Sequence, residues 1–235
     1  MAEHPADHPG PFVLVDDLEA PVLDPGDAHH LQRVLRLSSG DAVVLGDGRG
    51  RWRPARFGDP VRPDGPIESA PRDEPNLAVG FALVKGGRPE HVVQKLTELG
   101  IDRIVPFRAA RSVVRWDEER AAKAVARLRA VARAATMQCH RPWLPEVDDV
   151  ADLGALLGTD GVALADRGGA APSLHPLVLV GPEGGWSPEE RASADAAGAP
   201  RMALGPHVLR AETASVAVSS LLVTLRARRL DSHAE

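Results

Sequence analysis

An α/β fold carried behind a small β-rich unit is what the 235-residue sequence predicts, and three observations predict it. Proline and glycine punctuate the first 75 residues and leave only short β-like runs between them. From residue 76 onward, apolar runs of strand length alternate with segments of helical period. Between the two lies PRDEP at 71–75, charged and doubly prolinated, which reads as a linker. The expected units are therefore residues 1–72 and 73–235. Strands alternating with helices imply a mostly parallel sheet covered on both faces. Ligands of such sheets bind outside the carboxyl ends of the strands.

In the first unit FVLV at 12–15, AVVLGDG at 42–48, RWRPARF at 51–57 and PIES at 66–69 read as strands of a small β-barrel. One helix interrupts them. Leu31, Val34 and Leu35 of AHHLQRVLRL recur at helical spacing, Asp27 stands where an N-cap belongs, and SSGD ends the segment. In the second unit NLAVGFALV at 76–84 predicts a strand, RPEHVVQKLTELG at 88–100 an amphipathic helix closed by Gly100, and DRIVPF at 102–107 another strand. A longer helix is expected over 117–137. GVALAD at 161–166, PLVLVG at 176–181 and RMALG at 201–205 predict three further strands, each ending in a loop.

Hydrophobic residues make up 43% of the chain, ordinary for a soluble globular protein. The longest apolar runs fall well short of the roughly 20 residues that cross a bilayer, so no membrane span is expected. MAEHPADHPG at the start lacks the basic and apolar regions of a secretory signal, which points to a cytoplasmic address. The single cysteine, Cys139, excludes an internal disulfide and reads as a small buried or half-buried residue. No Cys/His spacing resembles a zinc site, so no metal is expected.

The net charge of −5 argues at face value against a nucleic-acid partner, but the charge is unevenly spread. Residues 1–75 carry 8 Lys/Arg against 14 Asp/Glu, residues 76–141 carry 13 against 6, and residues 142–235 carry 7 against 13. The middle of the chain is a basic island. A solvated helix face accounts for part of it, since Arg120, Lys123, Arg127 and Arg129 sit in an alanine-rich helical stretch. An anionic partner such as a phosphate backbone is the other reason to concentrate Arg on one segment.

Two loops carry the sharpest signals. In PLVLVGPEGGWSPEE at 176–190 a buried strand ends in Gly181-Pro182-Glu183-Gly184-Gly185, and a helix begins with Ser187 as N-cap, Pro188 at its first position and Glu190 closing a capping box. The glycines serve either a tight strand-to-helix turn alone or close approach of backbone to a ligand. A P-loop and the G-x-G-x-x-G dinucleotide fingerprint are both absent. In RMALGPHVLRAETASVAVSSLL at 201–222 a short strand reaches a second Gly-Pro turn and enters an apolar helix through Arg210, Glu212 and Thr213. Glu212 and Thr213 can be caps, but an Arg and a Glu two residues apart at the mouth of a buried helix need partners or a purpose.

GPEGG after a strand, followed by LGPHVLRAETA, resembles the 16S ribosomal RNA uracil-N3 methyltransferases, the RsmE family of the SPOUT superfamily. AHHLQRVLRLSSGDAVVLGDGRG at 28–50, KGGRPEHVVQKLTELGIDRIVPF at 85–107, RSVVRW at 111–116 and QCHRPWLPEV at 138–147 agree in the same order, so the resemblance covers nearly the whole chain. Trp186 follows GPEGG where the family more often carries Leu or Phe, and His207 occupies a variable position.

The resemblance implies a PUA-like β-barrel over 1–72 and a SPOUT α/β domain over 73–235 whose chain forms a deep trefoil knot, a rare exception to the rule against threading. It implies S-adenosyl-L-methionine as cofactor, held by backbone of three loops: the one after GVALAD, GPEGG, and 204–209. The expected cofactor residues are Leu164, Val180, Gly181, Pro182, Glu183, Gly184, Gly185, Leu204, Gly205, Pro206, Leu209 and Thr213. Arg210 and Glu212 are the expected catalytic pair, positioning a uracil or favouring its deprotonated form. His30, Arg33, Arg36, Lys85, Arg88, Arg111 and Arg115 are the expected RNA-phosphate contacts. The implied substrate is 16S rRNA or the assembled small ribosomal subunit, and the implied state a homodimer. Ribose 2′-O-methylation by another SPOUT activity, and a non-catalytic RNA-binding factor of ribosome assembly, are the alternatives.

Overall fold

Why the first 75 residues pair as they do follows from side-chain alternation. The computed structural model describes residues 4–83, 88–112 and 116–231; the expected contacts Lys85 and Arg115, and the side chain of Arg88, lie outside them. Two units emerge, Met1–Asp73 with Arg133–Leu144, and Glu74–Ala132 with Pro145–Glu235.

In the first unit, β1 (Phe12–Leu14) runs parallel to β2 (Ala42–Gly46). β2 pairs antiparallel with β3 (Arg51–Arg56), which takes β4 (Arg62–Pro63) at one end and β5 (Glu68–Ser69) at the other. Along β2 the period of two sends Val43 and Leu45 to a cluster with Val13, Leu31 and Val61. Val44 turns the other way, to Phe12, Leu14 and Trp52. Both faces are thereby buried, and Met137 packs against both clusters.

The helix between β1 and β2 corrects an expectation. Helix α1 (Pro25–His29) is capped by Asp24, whose Oδ1 accepts the Gly26 N–H at 2.8 Å, and not by Asp27. Pro25, pre-set for the first helical position, draws the start three residues earlier. Asp27 instead binds Arg133 through two hydrogen bonds, at 2.6 and 3.2 Å. The ladder then widens, with the Leu35 N–H reaching the His30 carbonyl across five residues.

The second unit contains β6 (Ala78–Ala82), α2 (Arg88–Glu98), β7 (Arg103–Arg108), α3 (Glu118–Gln138), β8 (Glu146–Val147), β9 (Ala151–Asp152), α4 (Leu153–Leu157), β10 (Val162–Ala170), β11 (Leu177–Val180), α5 (Pro188–Ala196), β12 (Arg201–Met202) and α6 (Ala211–Asp231), with the end of α3 counted in the first unit. Its sheet runs β12-β10-β11-β6-β7-β8, with β9 on β7, and every pairing is parallel. Strands β6 and β11 are buried along their whole length, as a sheet covered on both faces requires. Val79, Phe81, Val178 and Val180 meet Val92, Leu96, Leu128, Val218 and Leu222 of the helices on one face. Ala78, Leu164, Leu177 and Leu179 meet Trp186 and Ala194 on the other.

Helix α6 is anchored by a buried ion pair. Arg226 Nη1 lies 2.7 Å from Asp102 Oδ2, the two side chains are 6% and 5% exposed, and Asp102 Oδ2 also accepts the Leu77 N–H. Two strand expectations need correcting. β10 continues to Ala170, so the segment after GVALAD is strand and not loop, and RMALG supplies only Arg201 and Met202 to the ladder. The cause is tertiary: β12 pairs with β10 on both sides of an irregularity, Leu164 opposite Arg201 and Ala170 opposite Met202.

Candidate functional site

Where β11 ends, beside Ala165, Asp166 and Arg167 in the middle of β10, the second unit encloses a cavity of about 310 Å3, walled by the two Gly-Pro turns. The first turn starts where β11 stops. Gly185 adopts a φ of +67°, a conformation that disfavours a side chain, and its N–H returns to the Pro182 carbonyl at 2.8 Å. Gly181 backs onto the Trp186 ring so closely that a Cβ there would lie 2.9 Å from the indole. Trp186 is itself 2% exposed, donates Nε1–H to the Ala165 carbonyl at 2.9 Å, and stacks on Phe107 with centroids 6.0 Å apart.

The capping box of α5 forms in full. Ser187 Oγ accepts the Glu190 N–H at 3.1 Å, and Glu190 Oε2 accepts the Ser187 N–H at 2.7 Å. Glu189 Oε2 accepts a hydrogen bond from the Ser187 hydroxyl at 2.8 Å. Its own backbone N–H, that hydroxyl and the nearby Arg111 charge hold the Glu189 carboxyl below the usual carboxylate range. On the β10 side Asp166 receives Arg191 at 3.0 and 3.4 Å, with Arg201 4.0 Å away. Asp166, Arg167 and Arg191 all line the cavity, so its polar wall holds charges of both signs beside the apolar Val180, Leu204 and Leu209.

Of the expected cofactor residues, Val180, Gly181, Pro182, Glu183, Gly184, Gly185, Leu204, Gly205 and Leu209 line this one cavity. Leu164, Pro206 and Thr213 are not in its wall. Leu164 is fully buried in the cluster of the opposite face, because side chains alternate along β10 and its neighbour Ala165 faces the cavity. Thr213 is exposed on the first turn of α6. Arg210 and Glu212 also stand outside the wall, interleaved with the lining residues Leu209 and Ala211.

Arg111, expected at an RNA phosphate, donates Nη1–H to the Gly184 carbonyl at 2.8 Å. His30, Arg33 and Arg36 are exposed in the first unit, beside the exposed apolar Val34 and Leu35. Asp166, Trp186 and Arg191 line the cavity without having been expected there, and Arg167, His207 and Val208 line it from within the expected segments after GVALAD and at 204–209. The rule that ligands gather at strand carboxyl ends, applied to β11, points to the start of α5 and so to Arg191, whereas Asp166 and Arg167 lie within β10. Among the described residues no group of three or more His, Cys, Asp or Glu is arranged to hold a metal, and no helix is long and apolar enough to cross a membrane.

The model of the family described as the RNA methyltransferase domain matches residues 72–223, the stretch that carries the parallel sheet and both Gly-Pro turns. A second, described as the RNA methyltransferase PUA domain, matches residues 23–60. The ribosomal RNA small subunit methyltransferase E of Mycobacterium tuberculosis is 33% identical, over 92% of this chain and 90% of its own. That of Bacillus subtilis is 28% identical, over 80% and 83%. Two solved structures share the fold across 92% of this chain and 98% of theirs. They are a methyltransferase from Legionella pneumophila in complex with S-adenosylmethionine (TM-score 0.81, 27% identity) and the small subunit methyltransferase E of Neisseria gonorrhoeae bound to the same molecule (TM-score 0.79, 26% identity). The chain belongs to the ribosomal RNA small subunit methyltransferase E family, with a PUA-like unit ahead of a SPOUT α/β domain.

Proposed function

We propose that this protein transfers the methyl group of S-adenosyl-L-methionine to N3 of a uridine in 16S ribosomal RNA, with the donor held between the two Gly-Pro turns. The observation that carries the reading is their convergence on one cavity at the carboxyl end of β11. Its volume of about 310 Å3 falls at the small end of the roughly 300–1,000 Å3 typical of small-molecule sites. The lining suits an amphipathic molecule: glycine backbone and Val180, Leu204 and Leu209 for a flat base, and Asp166, Arg167 and Arg191 for a hydroxylated and zwitterionic end. The relatives' bound S-adenosylmethionine supports the same donor.

When bound, the sulfonium supplies an already activated methyl group, so the protein's task is alignment and management of one proton. The 181–185 and 204–209 backbones bind and orient the donor. N3 of uracil must lose a proton to become nucleophilic, which leaves negative charge on the base. Arg210 and the positive amino end of the 21-residue helix α6 stabilise that charge, and Glu212, in the first turn of the same helix, positions the base or takes the proton. The base must leave its stack to enter, so a separate RNA-holding unit is useful. The PUA match supports that role for the first unit, with exposed His30, Arg33 and Arg36 on phosphate. In this reading the two turns belong to a trefoil knot, a second copy completes the site as a homodimer, and the protein works in the cytoplasm with the small subunit.

The test is to incubate the protein with labelled donor and either 16S rRNA or small subunits, then digest and identify the product by mass spectrometry. N3-methyluridine is expected. Label on a ribose 2′-oxygen, or no transfer to either substrate, overturns the reading. Arg210→Ala and Glu212→Gln should each reduce turnover, by about 10- to 100-fold for a lost stabilising interaction; unchanged turnover in both removes them from the mechanism.

A further inference from the structure

The turn that follows β7 grips the first Gly-Pro turn at two points. Arg111 donates Nη1–H to the Gly184 carbonyl at 2.8 Å, and its aliphatic stem covers the bare face of Gly184, where an added Cβ would meet Arg111 Cβ at 3.4 Å and Cδ at 3.5 Å. One residue earlier, the Ala110 N–H donates to Glu190 Oε1 at 2.7 Å. The other oxygen of that carboxylate, Oε2, accepts the Ser187 N–H at 2.7 Å. A single carboxylate, 9% exposed, therefore closes the cap of α5 and ties it to a turn 80 residues away in sequence. Neither Arg111 nor Glu190 lines the cavity.

We propose that Arg111 and Glu190 are positioning residues for methyl transfer: they clamp residues 181–187 in the shape that receives the donor while touching neither donor nor base. The inference rests on the reading of the cavity as the donor site. Its physical basis is the composition of the turn. A segment with glycine at 181, 184 and 185 has many conformations in isolation, and ordering them costs free energy either when the ligand arrives or beforehand. Bonds made from outside the cavity place that cost in folding, so the ligand meets a formed wall. The bond to the Gly184 carbonyl is charge-assisted, and the Glu190 carboxylate uses both oxygens on backbone N–H groups, the stronger kind of hydrogen bond in each case. The stacking of Arg111 on Gly184 also gives that glycine a role separate from backbone freedom, since a side chain there would press on the Arg stem.

Three variants test the clamp, Arg111→Ala, Arg111→Lys and Glu190→Gln, with Arg108→Ala as a control whose only ionic partner among the described residues is the exposed Asp152 at 3.5 Å. Three readouts apply: amide hydrogen exchange of 181–187 without ligand, calorimetric affinity for S-adenosylhomocysteine, and KM measured separately for donor and RNA. Arg111→Ala should speed exchange in 181–187 and weaken the homocysteine adduct by on the order of fivefold, the value of one hydrogen bond, leaving KM for RNA and most of kcat intact. Arg111→Lys, which keeps a cationic donor, should recover much of the loss. Glu190→Gln keeps one acceptor and loses the other, so it should show the same exchange signature. Unchanged exchange and unchanged adduct affinity in Arg111→Ala overturn the proposal. So does a change confined to KM for RNA, which would make Arg111 a phosphate contact. If the unaltered protein binds no adduct, the donor-site reading fails, and the exchange data alone still decide whether the clamp exists. Arg111 is exposed, so its substitution leaves the fold intact even if Glu190→Gln does not.

Discussion

The two Gly-Pro turns that wall the cavity are built on opposite plans. The first is braced from several directions: Trp186 on Ala165 and Phe107, Ser187 and Glu190 in a reciprocal cap, and Arg111 on Gly184. The second is mostly open. Val208 is 75% exposed, and among the described residues no side chain from 204 to 210 makes a hydrogen bond. One wall is therefore braced by side chains from several elements, while the other carries exposed side chains without such braces.

The largest expected effect tests the braced side. Trp186→Ala removes a fully packed indole, its hydrogen bond to Ala165 and the support behind Gly181. It should cost about 3–5 kcal/mol of stability, read from the midpoint of urea unfolding. Val208→Ala, the same kind of truncation on the open side, should stay within about 0.5 kcal/mol. It should instead weaken S-adenosylhomocysteine severalfold, since each buried methylene is worth about 0.8 kcal/mol. Equal stability costs at the two positions would erase the contrast. A loss near that of Trp186→Ala is also expected from Asp102→Ala, about 3–5 kcal/mol, because it removes the carboxylate that lies 2.7 Å from the buried Arg226 guanidinium and accepts the Leu77 N–H.

An intermediate effect isolates the cap. Ser187→Ala removes the acceptor for the Glu190 N–H and the donor to Glu189, and should cost about 1 kcal/mol. Thermal unfolding beside Glu190→Gln shows whether the two residues act as a unit: if they do, the double variant loses clearly less than the sum of the single losses.

What the sequence revealed and what it hid divides along the same line. The capping box of α5 was legible because Ser187, Pro188 and Glu190 are local neighbours whose mutual geometry a helix start dictates. The parallel sheet was legible in the unbroken apolar runs of β6 and β11. Contacts across long separations were not. Nothing near Glu190 announces that its second oxygen binds Ala110, and nothing in DRGGA at 166–170 announces a strand, because that strand forms only through its pairing with β12. The α1 start was misplaced for a different reason: two aspartates three residues apart both satisfy the cap pattern, and Pro25 decides between them. Nine of the expected cofactor residues, Val180 to Gly185 with Leu204, Gly205 and Leu209, share the wall of one cavity, whereas Leu164 shows that knowing a strand's end does not fix which alternate side chains face that cavity.

The smallest expected effect is a pH dependence confined to the braced turn. Glu189 is held below the usual carboxylate range by its own N–H, the Ser187 hydroxyl and the Arg111 charge. A carboxyl with a lower value folded than unfolded binds fewer protons folded. Its stabilisation is therefore complete above the unfolded value, near 4.5, and vanishes as pH falls through the folded one. Because the carboxylate faces solvent, the contribution is small and screened by salt. Comparing the unaltered protein with Glu189→Gln, the difference in unfolding midpoint should be constant from pH 7 to 5 and close as pH drops below about 4.5. In Arg111→Ala the closing should shift toward higher pH, since one of the charges holding Glu189 down is gone. A difference that widens in acid would mean that Glu189 gains nothing from the brace, and the contrast between the two turns would then rest on Trp186 and Glu190 alone.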